Sequence, residues 1–257
     1  MKKTIAMLLA LAMSLSLVAC GGGDKSTGST SGDAAAPAHL SVCLASEPDT
    51  IDPALNSSVD GATMVAHLFS GLAKWSQDAD GNLVLVADAA QELVDGVANE
   101  DGTVTYTYTL RDGLKWSDGQ DVTAQDFVFS WNRAASMDLA ADYCYMFEVV
   151  DGYAEMWEAD DAGAPINPDA KLNVEAVDAK TLKVTLSNAV SYWNELLAFP
   201  TYFPVREDVV ANEAWATDSS TYVCNGAYTI TGWEHNSVIT MEKNPNYVDA
   251  EDRKSVV

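Results

Sequence analysis

Residues 103–110, with the sequence TVTYTYTL, place the strongest constraint on the fold of this chain, because threonine alternates there with valine, tyrosine and leucine. Successive side chains of a β-strand point to opposite faces of a sheet. An alternation of this length predicts a strand that packs one face against a core. The fold must therefore include a sheet that another layer covers on one side.

The other strands and helices are predicted from the same periodicities. Strands are predicted at residues 39–45, 172–177, 181–186, 226–233 and 237–243, the last two joined as a hairpin, and helices at residues 61–75, 123–135, 145–158 and 191–199. Thr123 followed by Asp126 resembles a capping box at the start of a helix. Strands and helices mix without a strict βαβ order, which predicts an α/β or α+β class with mixed sheets.

The first twenty residues have the layout of an export signal. Lys2 and Lys3 precede an apolar run to Val18 that is short for a stable membrane span. The run ends in Leu-Val-Ala-Cys, which resembles the bacterial lipoprotein signal, where lipid alkylates the cysteine and the cysteine becomes the new N-terminus. We predict a lipoprotein signal peptide at residues 1–19 and lipidation of Cys20, with ordinary cleavage beside an unmodified cysteine as the alternative.

Residues 20–38 are predicted to be the lipid anchor and a flexible tether, because Gly, Ser, Thr, Ala and Asp prevail there without apolar periodicity. Three further cysteines follow at Cys43, Cys144 and Cys224, and three cannot all pair with one another. One disulfide beside one thiol, and three unpaired thiols that pack as small apolar side chains, both remain open.

The charge balance excludes some partners. The formal net charge is −24, so the chain would repel a nucleic-acid backbone and anionic lipid head groups. With 48% hydrophobic residues the composition is that of a packed protein. We interpret the acidic surface as a means of keeping an exported protein in solution.

Four long stretches, in the same order along the chain, resemble the oligopeptide- and dipeptide-binding proteins of bacterial ABC importers. They are residues 47–58 (EPDTIDPALNSS), 108–133 (YTLRDGLKWSDGQDVTAQDFVFSWNR), 174–193 (VEAVDAKTLKVTLSNAVSYW) and 225–247 (NGAYTITGWEHNSVITMEKNPNY). The resemblance extends over residues 39–250. It implies an α/β fold of the periplasmic-binding-protein type II kind, in which two lobes close around a ligand.

The resemblance also implies how the chain is divided. Residues 39–69 and 205–257 correspond to segments of the first lobe, and residues 70–204 correspond to an inserted subdomain of the first half. Two-lobed proteins of this family are about twice as long as this chain. We therefore expect the second lobe, and the aspartate that pairs with the α-ammonium group of a peptide, to lie beyond Val257.

The binding residues come from the same resemblance. The family holds a peptide largely through its backbone, by strand-like hydrogen bonds. The loop after Asp-Pro that runs beside the ligand corresponds to Ser57, Ser58 and Val59, and an aromatic contact corresponds to Tyr143. The alternatives are an ordinary surface loop and a buried structural tyrosine. We expect Trp116, in the second stretch, to be a core side chain.

The implied function is to bind extracellular or periplasmic oligopeptides and to deliver them to the permease of an ABC transporter. The protein would be a monomer in the cell envelope, either anchored to the outer face of the cytoplasmic membrane or periplasmic. Because GxSxG, HExxH and P-loop patterns are absent, we expect neither enzymatic activity nor a cofactor.

Two other functions stay open. One is binding of a nickel- or haem-type ligand on the same fold, although His39, His67 and His235 are scattered and form no local cluster with metal-ligand spacing, so that no metal site is expected. The other is a truncated surface lipoprotein that binds nothing.

Overall fold

The sheet predicted from the alternating segment is the centre of the fold. In the computed structural model, which describes residues 39–250, it has four antiparallel strands in the order β3-β4-β6-β5. Tyr106 pairs with Val184 and Tyr108 with Leu182, and all four side chains lie on the buried face. The alternation at residues 103–110 therefore correctly identified a strand with one buried face.

The described residues contain five α-helices and eight strands. The helices are α1 (Val59–Leu68), α2 (Ala124–Ala135), α3 (Tyr153–Met156), α4 (Trp193–Leu196) and α5 (Glu207–Val210). The strands are β1 (Ala73–Gln77), β2 (Leu83–Ala87), β3 (Val97–Ala98), β4 (Val104–Thr109), β5 (Val174–Ala176), β6 (Thr181–Leu186), β7 (Tyr228–Glu234) and β8 (Val238–Lys243). Two 3₁₀ helices span Cys144–Val149 and Pro200–Tyr202.

Two antiparallel hairpins accompany the central sheet, β1-β2 and β7-β8. Residues 44–250 belong to one unit, and residues 39–43 belong to a separate one. Across residues 39–250, no helix has both the length and the apolar character needed to cross a membrane.

Helix α2 covers the central sheet. The predicted capping pair opens it, since the Asp126 carboxylate accepts hydrogen bonds from the backbone N–H of Thr123 at 2.7 Å and from its hydroxyl at 3.1 Å. Trp131 is fully buried and donates from Nε1 to the Tyr202 carbonyl at 2.8 Å. Trp116 is fully buried too, as predicted.

Helix α1 is shorter than the helix predicted at residues 61–75. It begins at Val59, because the Ser58 hydroxyl accepts a hydrogen bond from the Gly61 N–H at 3.1 Å. It ends at Leu68, and the chain then pairs as β1 with the apolar strand β2, which the sequence analysis had not assigned. The helical spacing of apolar residues thus continues past the end of α1, into residues that pair as a strand instead.

Three other predictions were wrong in extent or type. Residues 39–45 form no strand, and Leu40 and Val42 are exposed. The helix predicted at 145–158 is a 3₁₀ helix followed by α3, with Gly152 between them at φ +90°, where an added side-chain carbon would lie 2.3 Å from the Lys171 carbonyl oxygen. The helix predicted at 191–199 is confined to the single turn of α4.

Asn225 and Gly226, which lie just before β7, hold the last hairpin to the chain at the end of α1. The buried Asn225 amide accepts from the Ser70 N–H and donates to the Ser70 carbonyl, both at 3.0 Å, as a neighbouring strand would. The Gly226 N–H donates to the Leu68 carbonyl at 2.8 Å. This pairing brings the β7-β8 hairpin against α1.

Gly226→Ala should destabilise the protein by about 2–3 kcal/mol, because a methyl group there would lie 2.4 Å from the Leu68 carbonyl carbon and force the two backbones apart. Urea unfolding followed by tryptophan fluorescence measures the loss. Gly232→Ala is the matched control, since its methyl group would meet only Thr240 at 3.8 Å. Equal unfolding midpoints for the two variants would contradict this account of Gly226.

Candidate functional site

The loop that precedes α1 is organised around the buried carboxylate of Asp52. Asp52 is 1% exposed and accepts the Ala54 N–H at 2.9 Å, while its backbone carbonyl accepts from the N–H groups of Leu55 and Asn56. These bonds fold residues 52–56 into a tight turn. The turn fixes the direction in which the next residues, Ser57 to Val59, leave the core.

Asp52 is paired with Arg133 near the C-terminal end of α2. The guanidinium donates two hydrogen bonds to the carboxylate, at 3.2 Å from Nη1 and 2.7 Å from Nη2. A forked pair of this kind fixes orientation as well as distance. It joins the loop before α1 to the helix that leads to the Tyr143 segment.

Ser57, Ser58 and Val59 lie where this loop enters α1. Ser57 is exposed and Val59 is 82% exposed, whereas Ser58 is half-buried as the helix cap. The Asn56 side-chain oxygen accepts from the Ser58 hydroxyl at 3.1 Å, which orients the cap. Backbone around Ser57 and Val59 is therefore presented at the surface from a rigid base.

Tyr143 lies at the start of the 3₁₀ helix Cys144–Val149 and is half-buried. Its ring packs edge-on against Phe199, with 5.1 Å between ring centroids, and is 6.2 Å from the ring of Tyr145. It is thus neither a fully buried structural residue nor a freely exposed one.

The two predicted segments share a neighbour, the 3₁₀ helix Pro200–Tyr202. This helix contacts both α1 and α2, and the Tyr202 hydroxyl donates to the Met146 carbonyl at 2.7 Å. Phe199, which supports Tyr143, immediately precedes it. The structure therefore places the loop at Ser57–Val59 and the turn at Tyr143 on elements built around one common support.

Asp52, Asn56 and Arg133 were missed as residues that position the site. Two signals could have identified them, the Asp-Pro pair at Asp52 and the Trp-Asn-Arg ending of the second resembling stretch, since a buried aspartate requires a partner.

A crevice of about 250 Å³ opens beside the Asp52–Arg133 pair, and this volume is below the size usual for small-molecule sites. Its lining includes Thr50, Leu55, Val210, Glu213, Trp215 and Thr217.

Cys20, the predicted lipidation site, lies outside the described residues. Of the other cysteines, none of Cys43, Cys144 and Cys224 is in a disulfide within residues 39–250. Burial raises the pKa of the Cys224 thiol to about 12, so this thiol is protonated, and it donates to the Tyr228 carbonyl at 3.3 Å.

The histidines of the described part have local partners. His67 Nδ1 lies 2.8 Å from the Thr63 carbonyl on α1, and His235 lies between the Glu47 carboxylate and the Thr217 carbonyl. Within residues 39–250, no three His, Cys, Asp or Glu side chains come together in a way that could hold a metal ion.

Glu47 fastens the chain before the Asp52 turn to the β7-β8 hairpin. Its carboxylate is met by His235 Nδ1 at 2.8 Å, Trp233 Nε1 at 2.7 Å and the Asn236 N–H at 3.0 Å. Hydrogen bonds from His235 and then from Trp233 hold the pKa of the Glu47 carboxyl below its ordinary value. The folded state therefore favours the charged form of the Glu47 carboxylate.

Arg133→Met should lower the free energy of unfolding by about 3–5 kcal/mol, because it leaves the buried Asp52 carboxylate without its partner. The double variant Asp52→Asn, Arg133→Met should lose less than the sum of the single losses. Urea denaturation of all four proteins of this double-mutant cycle measures the coupling. Lys115→Met, at the exposed pair with Asp121, is the control and should cost less than about 1 kcal/mol; additive losses at Asp52 and Arg133 would refute the coupling.

The Glu47 contacts predict a pH dependence. A carboxyl whose pKa is lowered on folding stabilises the native state above its unfolded pKa, and this contribution disappears as the pH falls through the folded pKa. The thermal midpoint of the native chain should therefore fall more steeply from pH 5 to pH 3 than that of Glu47→Gln. Glu100→Gln, at an exposed side chain, is the control; parallel curves for the native chain and Glu47→Gln would contradict the prediction.

Comparison with known proteins gives this geometry a context. The family model described as bacterial extracellular solute-binding proteins, family 5 Middle, matches residues 86–256. The oligopeptide-binding protein OppA of Bacillus subtilis is 36% identical over 257 residues, which cover 98% of this chain and 44% of that protein. The chain thus spans less than half the length of this relative.

Two further relatives show the range of ligands named for similar proteins. An Escherichia coli protein named "Probable deoxycholate-binding periplasmic protein YgiS" is 36% identical over 211 residues, covering 80% of this chain and 36% of that protein. The solved structure of Listeria monocytogenes OppA bound to peptide has a TM-score of 0.66 and 33% identity, covering 80% of this chain and 39% of that one. The latter agreement confirms the predicted type II fold class.

Proposed function

Since the chain belongs to the bacterial extracellular solute-binding proteins of family 5, we propose that it binds oligopeptides outside the cytoplasm and delivers them, chemically unchanged, to the permease of an ABC transporter. The observation that carries this proposal is the shared fold with Listeria monocytogenes OppA, which was solved with a peptide bound. The 36% identity to the oligopeptide-binding protein OppA of Bacillus subtilis supports it.

In this proposal, Ser57, Ser58 and Val59 offer backbone groups to an extended peptide, and Tyr143 offers its ring. Main-chain hydrogen bonds supply affinity without depending on the side chains of the ligand. The Asp52–Arg133 pair and the cap at Ser58 keep this surface in place before the ligand arrives. Such preorganisation lowers the entropy cost of binding.

The division into lobes is part of the proposal. Residues 39–69 and 205–257 contribute to the first lobe, and residues 70–204 form the inserted subdomain. A second lobe outside this chain supplies the remaining ligand contacts and closes over the peptide. The crevice beside Asp52 is too small for an oligopeptide, so we assign the ligand to the surface near Ser57–Val59 and Tyr143.

The location follows from the N-terminal sequence. Lipid on Cys20 would hold a monomer in the cell envelope, at the outer face of the cytoplasmic membrane or in the periplasm, with residues 21–38 as the tether. Metabolic labelling with a lipid precursor tests the anchor, since Cys20→Ser should abolish incorporation.

The binding proposal predicts that Tyr143→Ala weakens the binding of a hexapeptide by roughly tenfold, because removal of an aromatic contact typically costs more than 1 kcal/mol. Isothermal titration measures the affinity, and mass spectrometry should recover the peptide intact. Trp75→Ala is the control, as an exposed aromatic side chain on β1 that the proposal does not assign to the ligand surface. Binding of deoxycholate but not of peptide would refute the proposal, and cleavage of the peptide would refute the absence of catalysis.

A further inference from the structure

The turn of the β7-β8 hairpin contains a histidine whose two ring nitrogens both face hydrogen-bond acceptors. His235 Nδ1 lies 2.8 Å from the Glu47 carboxylate, and Nε2 lies 3.1 Å from the backbone carbonyl of Thr217. Neither of these groups can donate, since a carbonyl carries no hydrogen and the Glu47 carboxylate is held in its charged form. A neutral imidazole has one N–H group, whereas an imidazolium has two. Both contacts are therefore hydrogen bonds only when His235 is positively charged.

The groups around the ring favour its charged form. Glu47 faces it from the segment before α1, and Asp218, in the chain between α5 and β7, lies within its electrostatic reach. Hydrogen bonds from Ser220, and then the charge of His235, hold the pKa of the Asp218 carboxyl below its ordinary value. On β7 itself, the Trp233 ring lies 4.9 Å from that of His235, and a cation near an aromatic ring is stabilised. Among the residues that the structure describes, no lysine or arginine forms an ion pair with Glu47 or Asp218.

The charged ring joins three segments that are distant in the sequence. His235 belongs to the hairpin, Glu47 to the segment that leads to α1, and Thr217 to the chain between α5 and β7. Thr217 lines the crevice beside the buried ion pair, and the carbonyl of its neighbour Ala216 accepts the Ile51 N–H at 3.4 Å. The segment that leads to α1 therefore contacts both of the other two, and the His235 ring bridges them.

We infer that His235, Glu47 and Thr217 form a pH-sensitive clasp, in which the imidazolium holds the other two segments to the β7-β8 hairpin and releases them when it loses a proton. Histidine is the side chain that changes charge between about pH 5 and pH 8. The neutral ring keeps one N–H group, so its other nitrogen turns a lone pair towards an acceptor. The clasp acts whatever ligand the protein binds, because none of these three residues is assigned to the ligand surface.

The protonation state fixes the direction of the pH dependence. The folded state uses the second N–H of His235 for a hydrogen bond that the unfolded chain does not make, so removal of this proton destabilises the folded state. Stability therefore falls as the pH rises through the range in which histidine loses its proton. Glu47 acts in the opposite direction, since its contribution disappears as the pH falls. The clasp is strongest between these two ranges, in mildly acidic solution.

Thermal unfolding at pH 5.5 and pH 8.0 tests the clasp. Between these two values the midpoint of the native chain should fall by about 2–4 °C relative to that of His235→Gln, which is the size expected for the loss of one hydrogen bond in a protein of this length. Glutamine at this position remains polar but does not titrate. His39→Gln is the matched control, because it removes an exposed histidine outside the clasp and should keep the native dependence.

A second variant and a local measurement assign the effect to the clasp. Glu47→Gln should reduce the fall in midpoint from pH 5.5 to pH 8.0, because the carboxylate that favours the charged ring is gone. Hydrogen exchange of the Asn236 N–H, which donates to Glu47 at 3.0 Å, reports local opening. Its protection factor should fall several-fold from pH 5.5 to pH 8.0 in the native chain and stay constant in His235→Gln.

The possible results are distinct. Equal changes in midpoint for the native chain and His235→Gln refute the clasp. Loss of the pH dependence in His39→Gln refutes it too, because the effect then arises outside the His235 ring. A fall in midpoint without a change in the protection of the Asn236 N–H refutes the release of the Glu47 segment. None of these results bears on peptide binding, which the titration of Tyr143→Ala tests separately.

Discussion

The buried ion pair between Asp52 and Arg133 is the constraint on which the arrangement of the candidate site depends. A carboxylate that is 1% exposed requires a partner, and the forked guanidinium meets it in one orientation. A hydrophobic pair could stabilise the fold equally well, so the value of these charges is in fixing direction. That direction determines where the chain emerges at Ser57 and where α1 begins.

Side-chain amides and a second ion pair hold the rest of the unit around the Asp52–Arg133 pair, in place of hydrogen bonds between strands. The Asn225 amide pairs with Ser70 as a strand would, and the Asn244 amide donates to the Gly226 carbonyl at 2.9 Å. Arg111 and Asp249 form a second forked pair that ties the segment after β8 to the end of β4. Short strands and hairpins thus acquire fixed positions without forming one continuous sheet.

The sequence predicted those elements whose periodicity and packing agree. The alternation at residues 103–110 and the capping pair at Thr123 were correct, because one face of each element is buried and its ends are signalled locally. The end of α1 could not be predicted, because the helical pattern continues past Leu68 and only the pairing of β1 with β2 stops the helix. The role of Arg133 could not be predicted either, since its partner is 81 residues away in the sequence.

The most informative difference concerns residues 145–158. Their apolar spacing favours an α-helix, whose period is 3.6 residues. Gly152 at φ +90° interrupts such a helix, and the Tyr202 hydroxyl donates a hydrogen bond to the Met146 carbonyl. Residues Cys144–Val149 wind instead as a 3₁₀ helix with a period of three, in which Tyr145 and Glu148 are exposed on one face. The local departure from the predicted helix therefore follows from a backbone turn and a tertiary hydrogen bond that the apolar spacing of residues 145–158 does not signal.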